Sequence, residues 1–303
     1  MKRARGIVLL LALAPVLALG GTGQADEVCV PDAQAKSFCL AQPANRIVSL
    51  APHLTEMAFA IGAGGQLVGA VSYSDFPPEA RALPSLGNYN QPDLEKLLAL
   101  KPDLALAWQS GASPALLDKL AKLGIPAWVS RSEHLADIPA ELRGIGLLSG
   151  HAAEGKKAAD AFEHELESIW QEHAHSRPLR GFYQIWPQPL LTVSDNHFIA
   201  EAMRYCAIEN IVGQANNLTP TWSEEEVVRA RPELILTSPP SRDFTRWQRW
   251  PQLPAVKNQA LIVLPPDVLA RPGPRLIQGV RALCAAADKV RAQGIENPST
   301  NAH

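Results

Sequence analysis

EKLLALKPDL, residues 95–104, is followed 130 positions later by EEVVRARPEL, residues 225–234. In both stretches a glutamate precedes a proline by seven residues, with a basic residue before the proline and an acid and a leucine after it. Proline lacks an N–H and disfavours helix at the residue before it, so each stretch predicts a short helix that stops at the proline. The apolar runs that follow, residues 104–108 and 234–237, predict strands buried on both faces.

A second, weaker repeat has the same order along the chain. Residues 49–69 and 194–213 each lead from a strand into a helix and then to Leu-Val-Gly or Ile-Val-Gly. Helix, proline and strand can recur by chance in any α/β protein, but two repeats in the same order favour an internal duplication. The sequence therefore predicts two lobes of similar plan.

One long amphipathic segment separates the two halves. Residues 154–175 carry apolar side chains at intervals of three and four, as on one face of a helix. At 1.5 Å per residue this helix would be roughly 33 Å long, about the width of a small domain. We therefore predict an α/β fold in which two Rossmann-like lobes are joined by a single long α-helix, with a ligand cleft between the lobes.

The first 25 residues have the three parts of a secretory signal peptide. Lys2, Arg3 and Arg5 form a basic start, residues 7–19 an apolar core too short to span a bilayer, and residues 23–25 a cleavage site with small residues. We therefore expect a soluble protein exported to the periplasm. The expected division is a signal peptide at 1–25, an N-terminal lobe with a hairpin at 26–150, a bridging helix at 151–177, and a C-terminal lobe with a disordered tail at 178–303.

Charge argues against some partners. Without the signal peptide, the remaining 278 residues carry 25 basic and 30 acidic side chains, a net charge of −5. Mild acidity does not favour nucleic acid or an anionic membrane as the partner. We expect a monomer.

Four cysteines fit an oxidising compartment and allow three pairings. Cys29 and Cys39 flank a turn between short apolar runs, which favours a stapled hairpin. A bond between Cys206 and Cys284 would tie the last helix to the second lobe. A metal site is the rival interpretation, but the spacing is not C-x-x-C and no histidine neighbours either pair.

Aromatic residues recur where strands end or helices begin, which is where open α/β sheets bind ligands. Tyr73, Tyr89 and Trp108 are predicted to meet on one rim of the first lobe, and Trp186 and Trp222 hold comparable positions in the second. A buried aromatic is more often core than site, but these residues fall at loops. Two facing aromatic rims suit a large, flat, partly apolar ligand.

Signs of catalysis are weak. The chain has no G-x-S-x-G elbow, Walker loop or HExxH motif, and its eight histidines are scattered. Ser49, His53 and Glu56 could form a triad on paper, but near a helix start they are more typical of capping and solvation. We therefore expect no catalytic residue, no metal ligand and no enzymatic cofactor.

RIVSLAPHLTEMAFAIGAG, LVGAVSYSDFPPEA, DLEKLLALKPDLALAW and RPGPR together resemble the periplasmic binding proteins of the helical-backbone class. These proteins serve ABC importers for cobalamin, ferric siderophores, haem and related chelates, and the resemblance is greatest to members that bind cobalamin (vitamin B12). It covers most of the mature chain. It implies two Rossmann-like lobes joined by one helix, a corrinoid as transported ligand, and the permease and ATPase subunits as partners.

The resemblance also implies roles for single residues. Tyr73, Tyr89, Trp108 and Trp186 match aromatic positions that line the corrinoid cleft. The second-lobe tryptophan of the family falls on Thr219, with Trp222 three residues later, so the second rim departs from the pattern. Positions with further implied roles are the permease-docking glutamates Glu95 and Glu225 and the disulfide Cys206–Cys284.

Two alternatives follow from the same residues. The hairpin around Cys29 and Cys39 is more similar to siderophore receptors, and Arg242, Arg246 and Arg271 would be cleft bases for a ferric siderophore or haem. For Glu95 and Glu225, the plain alternative is an ordinary solvated glutamate in the first turn of a helix, where the dipole favours an acid.

Overall fold

The structure is a computed structural model that describes residues 27–239 and 242–296. The predicted signal peptide and the predicted C-terminal tail from residue 297 lie outside these residues. Among the helices within these ranges, none has the length and apolar character needed to cross a membrane.

The first lobe is built on a parallel four-stranded sheet, with a disulfide-bonded hairpin at its N-terminal end. Its strands are β1 Val28–Pro31, β2 Ser37–Leu40, β3 Ile47–Ser49, β4 Leu67–Ala70, β5 Gly87–Asn88, β6 Gln91–Pro92, β7 Leu104–Trp108 and β8 Ala127–Ser130. Its helices are α1 Pro52–Ala60, α2 Leu94–Ala99, α3 Pro114–Lys122 and α4 Asp137–Leu148, with 3₁₀ turns at Ala63–Gln66 and Pro78–Ala82.

The second lobe follows a long helix, α5 Ala152–His173. Its strands are β9 Leu179–Gln184, β10 Trp186–Pro187, β11 Leu190–Leu191, β12 Ile208–Asn210, β13 Leu234–Thr237 and β14 Leu261–Val263. Its helices are α6 Phe198–Tyr205, α7 Glu224–Ala230, α8 Thr245–Gln248, α9 Pro254–Lys257 and α10 Leu276–Glu296.

The two main sheets have the same topology. Their strand orders are β4-β3-β7-β8 and β12-β9-β13-β14, and every pair is parallel. In each sheet the lobe's first main strand lies between its second and third. The predicted duplication and the predicted α/β fold are therefore confirmed by strand order as well as by sequence.

Side-chain contacts repeat along with the strands. The Arg46 guanidinium donates to the carbonyl oxygen of Leu100, 2.6 Å from Nη2, at the end of the helix before β7. At the equivalent place in the second lobe, Arg180 donates to Ala230, 3.0 Å from Nη2. In both lobes an arginine at the start of the first main strand thus donates to a carbonyl oxygen at a helix C-terminus. Such carbonyl groups have no partner within the helix and need a donor from outside it.

The two quoted stretches fold alike, as predicted. Asp93 caps α2 by accepting from the backbone of the third residue on, and Ser223 caps α7 in the same way. The residues before the prolines, Lys101 and Arg231, both take left-handed backbone angles, with φ of 47° and 49°. These left-handed residues turn each chain out of its helix and into the following strand.

The bridging helix α5 spans 22 residues and agrees with the predicted segment to within two residues at each end. It packs along α4, and the two helices approach most closely where glycines face each other. A Cβ on Gly155 would lie 3.0 Å from the Cα of Gly146 and 2.7 Å from the Leu142 carbonyl oxygen. The inner face of α5 buries Phe162, Leu166 and Ile169.

A single apolar cluster runs through both lobes. It contains Leu54 and Leu106 from the first lobe, Phe162 from α5, and Met203 and Leu283 from the second. Because interiors are packed as densely as organic crystals, a shared core couples the lobes mechanically. The lobes are therefore held by more than the helix that joins them.

Both expected cysteine pairs are disulfides. Cys29 and Cys39 lie directly opposite each other on β1 and β2, with their Cα atoms 4.1 Å apart. Cys206, at the end of α6, is bonded to Cys284 on α10, 78 residues later. The second bond ties the last helix to the end of α6 in the second lobe.

Candidate ligand-binding site

The predicted rims lie where parallel α/β sheets place ligands. In the first lobe the strand order reverses between β3 and β7, and Trp108 is the last residue of β7. Chain leaving the carboxyl ends of such strands forms a crevice that can hold a ligand. Trp108 therefore stands at the switch point of its sheet.

Trp108 is held in place by contacts on several sides. Its indole N–H donates to the carbonyl oxygen of Arg131 at 3.3 Å. Its ring centroid is 6.4 Å from that of Tyr89 and 5.4 Å from that of His53, which meets it edge-on. The structure thus brings together Tyr89 and Trp108, two of the predicted rim aromatics.

Gly111 lies against two of the rim aromatics, a contact that sequence reasoning did not identify. A Cβ at this position would lie 2.8 Å from Cε3 of Trp108 and 3.1 Å from Cδ2 of Tyr89. The glycine therefore lets the two rings approach over the backbone. The sequence feature that could have indicated this contact is the position of Gly111, three residues after Trp108 at the end of β7.

Tyr73 lies in the loop after β4 and is the most exposed rim aromatic, with 74% of its surface accessible. Its φ is 67°, in the left-handed region that a bulky residue seldom adopts. The neighbouring Ser72 N–H donates to the Gly87 carbonyl oxygen at 2.7 Å, joining this loop to the β5–β6 hairpin whose turn carries Tyr89. Tyr73 and Tyr89 therefore project from two connected loops.

In the second lobe, Trp186 is 43% exposed and pairs with Leu191 in the short β10–β11 hairpin. Leu191 also forms an isolated bridge with Thr221, which brings the segment of Thr219 and Trp222 alongside this hairpin. Thr219 is exposed. The predicted second-rim residues thus belong to one surface.

Trp222 is partly a core residue. It is half-buried, and its ring centroid is 6.2 Å from that of the buried Phe182. The aromatic of this surface with the greater exposure is Trp186. Sequence spacing alone could not separate these roles, because both tryptophans adjoin short elements.

His53 is not solvated, contrary to expectation. It is 3% exposed, and its Nε2 lies 3.3 Å from the Ser132 hydroxyl. Burial, together with the positive charge of Arg271, lowers the pKa of His53 from 6.5 to about 3. The imidazole is therefore neutral at physiological pH.

Glu56 is also buried rather than solvated, with 4% of its surface exposed. Its carboxylate accepts from Arg275 at 2.8 and 2.6 Å and from Arg271 at 3.2 Å. Both arginines belong to the RPGPR segment that precedes α10, on the other lobe. Glu56 is therefore one side of an ion-pair cluster between the lobes.

The triad on paper does not form, and the capping interpretation is wrong. Ser49 donates to the Ala51 carbonyl oxygen, whereas His53 contacts Ser132 and Glu56 binds the two arginines. The N-cap of α1 is Ala51, which offers no side-chain bond. The three side chains thus serve three different contacts.

A buried carboxyl lies behind His53. Glu141 accepts from the Ser132 hydroxyl at 2.6 Å and from the backbone N–H groups of Arg131 and Ser132 at 2.9 Å. Burial raises its pKa from 4.5 to about 7, although these hydrogen bonds oppose the shift. Ser132 therefore links Glu141 to His53 beneath the cleft.

A second polar contact joins the lobes on the α6 side. Nδ1 of His134 lies 2.5 Å from one oxygen of Glu201, and the Leu135 N–H donates to the other oxygen at 2.8 Å. Glu201 lies in the first turns of α6, whereas His134 and Leu135 precede α4. Among the residues that the structure describes, the lobes thus meet through polar side chains at two separate places.

Glu95 and Glu225 occupy matched positions in the two lobes. Each is exposed and lies in the first turn of its helix, α2 or α7. Their carboxylates are therefore available on the surface at points that the duplication makes equivalent.

One group of possible metal ligands occurs among residues 27–239 and 242–296: Glu27, Cys29 and Cys39. Both cysteines are in a disulfide, so neither offers a thiolate. This group therefore does not form a thiolate metal site.

Comparison with known proteins now adds to this geometry. Residues 47–268 match the family model described as periplasmic binding protein. The chain belongs to this family. It is 36% identical over 256 residues to a vitamin B12-binding protein of Vibrio cholerae, covering 84% of this chain and 91% of that protein. It is 37% identical over 248 residues to one from Pectobacterium atrosepticum, with 80% and 88% covered.

Solved structures agree on the architecture. The crystal structure of the periplasmic vitamin B12-binding protein of Vibrio cholerae superposes with a TM-score of 0.75 at 35% identity, covering 82% of this chain and 98% of that one. A periplasmic haem-binding protein with two haems bound gives 0.72 at 20% identity, with 81% and 98% covered. At that identity the second match shows a common fold only.

Proposed function

We propose that this protein is the periplasmic receptor of an ABC importer, that it binds cobalamin or a related corrinoid, and that it delivers this ligand to the membrane permease. The observation that carries the proposal is the pair of aromatic surfaces at strand ends of two duplicated lobes, in a chain 36% identical to a vitamin B12-binding protein. An exported, monomeric receptor with a cleaved signal peptide is part of the proposal.

The aromatic surfaces suit the flat face of a corrin ring. Tyr73, Tyr89 and Trp108 would supply contact area from the first lobe and Trp186 from the second, with Thr219 and Trp222 beside it. Aromatic side chains lose little conformational entropy on binding, so they provide affinity at low cost. No bond of the ligand is made or broken in this role, so the protein acts as a carrier and not as a catalyst.

Movement of the lobes on binding would be small. The shared core, the helix α5 and the polar contacts of Glu56 and Glu201 all join the lobes. Hinge closure needs a few residues that absorb large backbone changes, and a 22-residue helix is a stiff connection. The cleft is therefore largely preformed, which reduces the cost of ordering on binding.

The matched glutamates suit a partner with two similar halves. Glu95 and Glu225 would contact arginines of the permease, one from each lobe. Exposed charges at an interface guide association and set its register. The importer's ATPase would then act through the permease rather than on the receptor.

The test is a titration of the purified mature protein with cyanocobalamin, in parallel with haemin and a ferric siderophore. Isothermal calorimetry should show saturable binding of one cyanocobalamin per chain, and tryptophan fluorescence, corrected for ligand absorbance, should be quenched with the same midpoint. Binding of another chelate without any response to cyanocobalamin would keep the fold and reject the proposed ligand.

A further inference from the structure

A cluster of five charged side chains lies between the lobes. The second lobe contributes Arg271, Arg275 and Asp267, and the first lobe contributes Glu56 and Asp75. Nη1 of Arg271 is 2.8 Å from Asp75 and 3.2 Å from Glu56, and its Nη2 is 3.5 Å from Asp267. Arg275 binds both oxygens of Glu56. We call this the arginine cluster.

The arginine cluster adjoins the proposed cleft. Asp75 is two residues after Tyr73 in the same loop. A Cβ on Gly273, between the two arginines, would lie 3.6 Å from Cβ of His53, whose ring meets that of Trp108. The cluster therefore lies next to the aromatic rim, where it would affect the charge of a bound ligand.

The cluster carries more acid than base. Two guanidinium groups face three carboxylates, and the neighbouring His53 is neutral because burial and Arg271 hold its pKa at about 3. Burial would lower the pKa of Arg271, but its carboxylate partners raise it, so its charge is fixed and already paired. Outside the cluster, Arg81 donates to the Asp75 backbone oxygen, and, although burial opposes the shift, its charge, after that of Arg271, helps to lower the pKa of the Asp75 carboxyl.

The other two expected cleft bases, Arg246 and Arg242, lie outside the arginine cluster. The Arg246 guanidinium donates to the Pro187 carbonyl oxygen and lies 5.9 Å from the Trp247 ring. Arg242 is exposed, next to the two residues outside the described ranges. Arg246 is thus bound to a backbone carbonyl beside Trp186 on the second-lobe surface, whereas Arg271 lies beside the first-lobe rim and is bound to carboxylates.

We propose that Asp75, by occupying Arg271, makes the cleft select against anionic ligands, such as chelates with carboxylate or catecholate groups, and in favour of ligands without negative charge. A carboxylate that reached Arg271 would have to displace Asp75 or add a fourth acid to the cluster. Like charges brought together at a binding site are a common means of excluding wrong partners. The inference rests on the proposed function and deepens it.

The proposal makes Asp75 a specificity-determining residue. Asp75 is half-exposed, so its removal leaves the buried Glu56 pairs in place. In Asp75→Asn the side chain keeps its size and can still accept a hydrogen bond. The positive charge of Arg271 is then balanced by one carboxylate fewer. An anionic ligand should then bind more tightly, whereas a neutral ligand should bind as before.

The sharpest probe is a matched pair of corrinoids. Cyanocobalamin and its monocarboxylates, in which one side-chain amide is hydrolysed, differ by a single negative charge. Calorimetry should show that the wild-type protein prefers cyanocobalamin over each monocarboxylate. In Asp75→Asn this preference should fall by about tenfold for at least one isomer, the usual scale of one lost charge contact. Glu165→Gln, which removes a partner of Arg281 on the outer helices, should leave it unchanged.

A double variant tests whether Arg271 carries the effect. The gain of Asp75→Asn for the anionic corrinoid should disappear in the Arg271→Gln background, because the group that the anion reaches is then absent. Haemin is a second anionic probe, and its affinity should rise in Asp75→Asn. Thermal unfolding and circular dichroism of each variant, compared with those of the wild-type protein, would verify that the variant is folded.

The possible failures are distinguishable. If the wild-type protein binds cyanocobalamin but Asp75→Asn shows unchanged discrimination and unchanged haemin affinity, the charge-selection inference is wrong and the proposed function stands. If no corrinoid binds, the proposed function is wrong, and the haemin titrations still test the role of Asp75.

Discussion

His53 illustrates how one buried side chain links stability to acidity. Its imidazole contacts Ser132 and Trp108 and faces the charge of Arg271. Its position at the start of α1 indicated solvation, because the groups that bury it come from distant parts of the chain. Arg271 is more than 200 residues away in sequence, so no local pattern could predict the environment of His53.

We expect acid to destabilise the protein through His53. The folded imidazole has a pKa of about 3 and the unfolded one 6.5, so between these values the unfolded chain binds the additional proton. Between pH 7.5 and 5.5 this group should remove about 1.4 kcal/mol from the free energy of unfolding. Urea unfolding should show that His53→Gln lacks this contribution, while His164→Gln, at an exposed position on α5, retains it. Parallel pH dependence in wild type and His53→Gln would contradict the assignment.

Gly111 offers a second prediction at this scale. In Gly111→Ala the new methyl would collide with the rings of Trp108 and Tyr89, so one ring must move. Overpacking of this kind costs about 1–3 kcal/mol, so we expect cyanocobalamin affinity to fall about tenfold in calorimetric titrations. The matched control is Gly65→Ala, where a Cβ meets nothing within 4 Å. Equal affinities of the two variants would show that ring placement by Gly111 is unimportant.

At the scale of elements, sequence reasoning performs well because the signals are local. Proline-terminated helices, apolar strands and the period of α5 predict elements that the structure contains, including matched left-handed residues before the prolines. Short elements were harder. In the segment 244–250, α8 has only four residues; its Trp247 is fully buried, and Trp250 packs partly buried against the same cluster. A short segment carries too few turns for periodicity to identify its buried face.

The two disulfides should contribute unequally to stability. Loop-closure entropy rises with the number of residues enclosed, and the bonds span 78 and 10 residues. On this model, Cys206→Ala with Cys284→Ala should lower the free energy of unfolding by about 4.5 kcal/mol, and Cys29→Ala with Cys39→Ala by about 2.7 kcal/mol. Urea unfolding of the oxidised proteins measures both. Wild-type protein under reducing conditions loses the bonds but keeps the cysteine side chains, so it controls for lost side-chain packing in the alanine variants. A larger loss from the Cys29 and Cys39 variant than from the Cys206 and Cys284 variant would contradict the model.

At the scale of the whole molecule, the lobes are coupled by features that sequence could not locate. The repeats predict two lobes, and the period of α5 predicts their connection. The ion pair of Glu56 with Arg275 and the hydrogen bond between His134 and Glu201 join residues from opposite lobes. Such pairs depend on how the lobes pack, and a glutamate in a helix has the same local pattern whether it is paired or solvated.

The duplicated surface glutamates lead to a prediction about transport. With importer reconstituted in liposomes, Glu95→Ala and Glu225→Ala should each reduce cyanocobalamin uptake, and the double variant should reduce it at least about tenfold, because one charge contact at an interface typically contributes more than 1 kcal/mol. Ligand affinity measured by calorimetry should not change. Glu154→Ala, at an exposed first-turn position of α5, is the matched control. Normal uptake by the double variant would exclude docking through these residues.

The N-terminal hairpin has a consequence for how the protein avoids self-association. Strand β8 is an edge of the first sheet, and the hairpin lies against it: the Ala33 N–H donates to Val129 and the Trp128 indole to Pro31. Uncovered edge strands are templates for pairing between chains. A chain in which Cys29 and Cys39 have not yet bonded holds this cover less firmly, so aggregation before the bond forms would begin at β8.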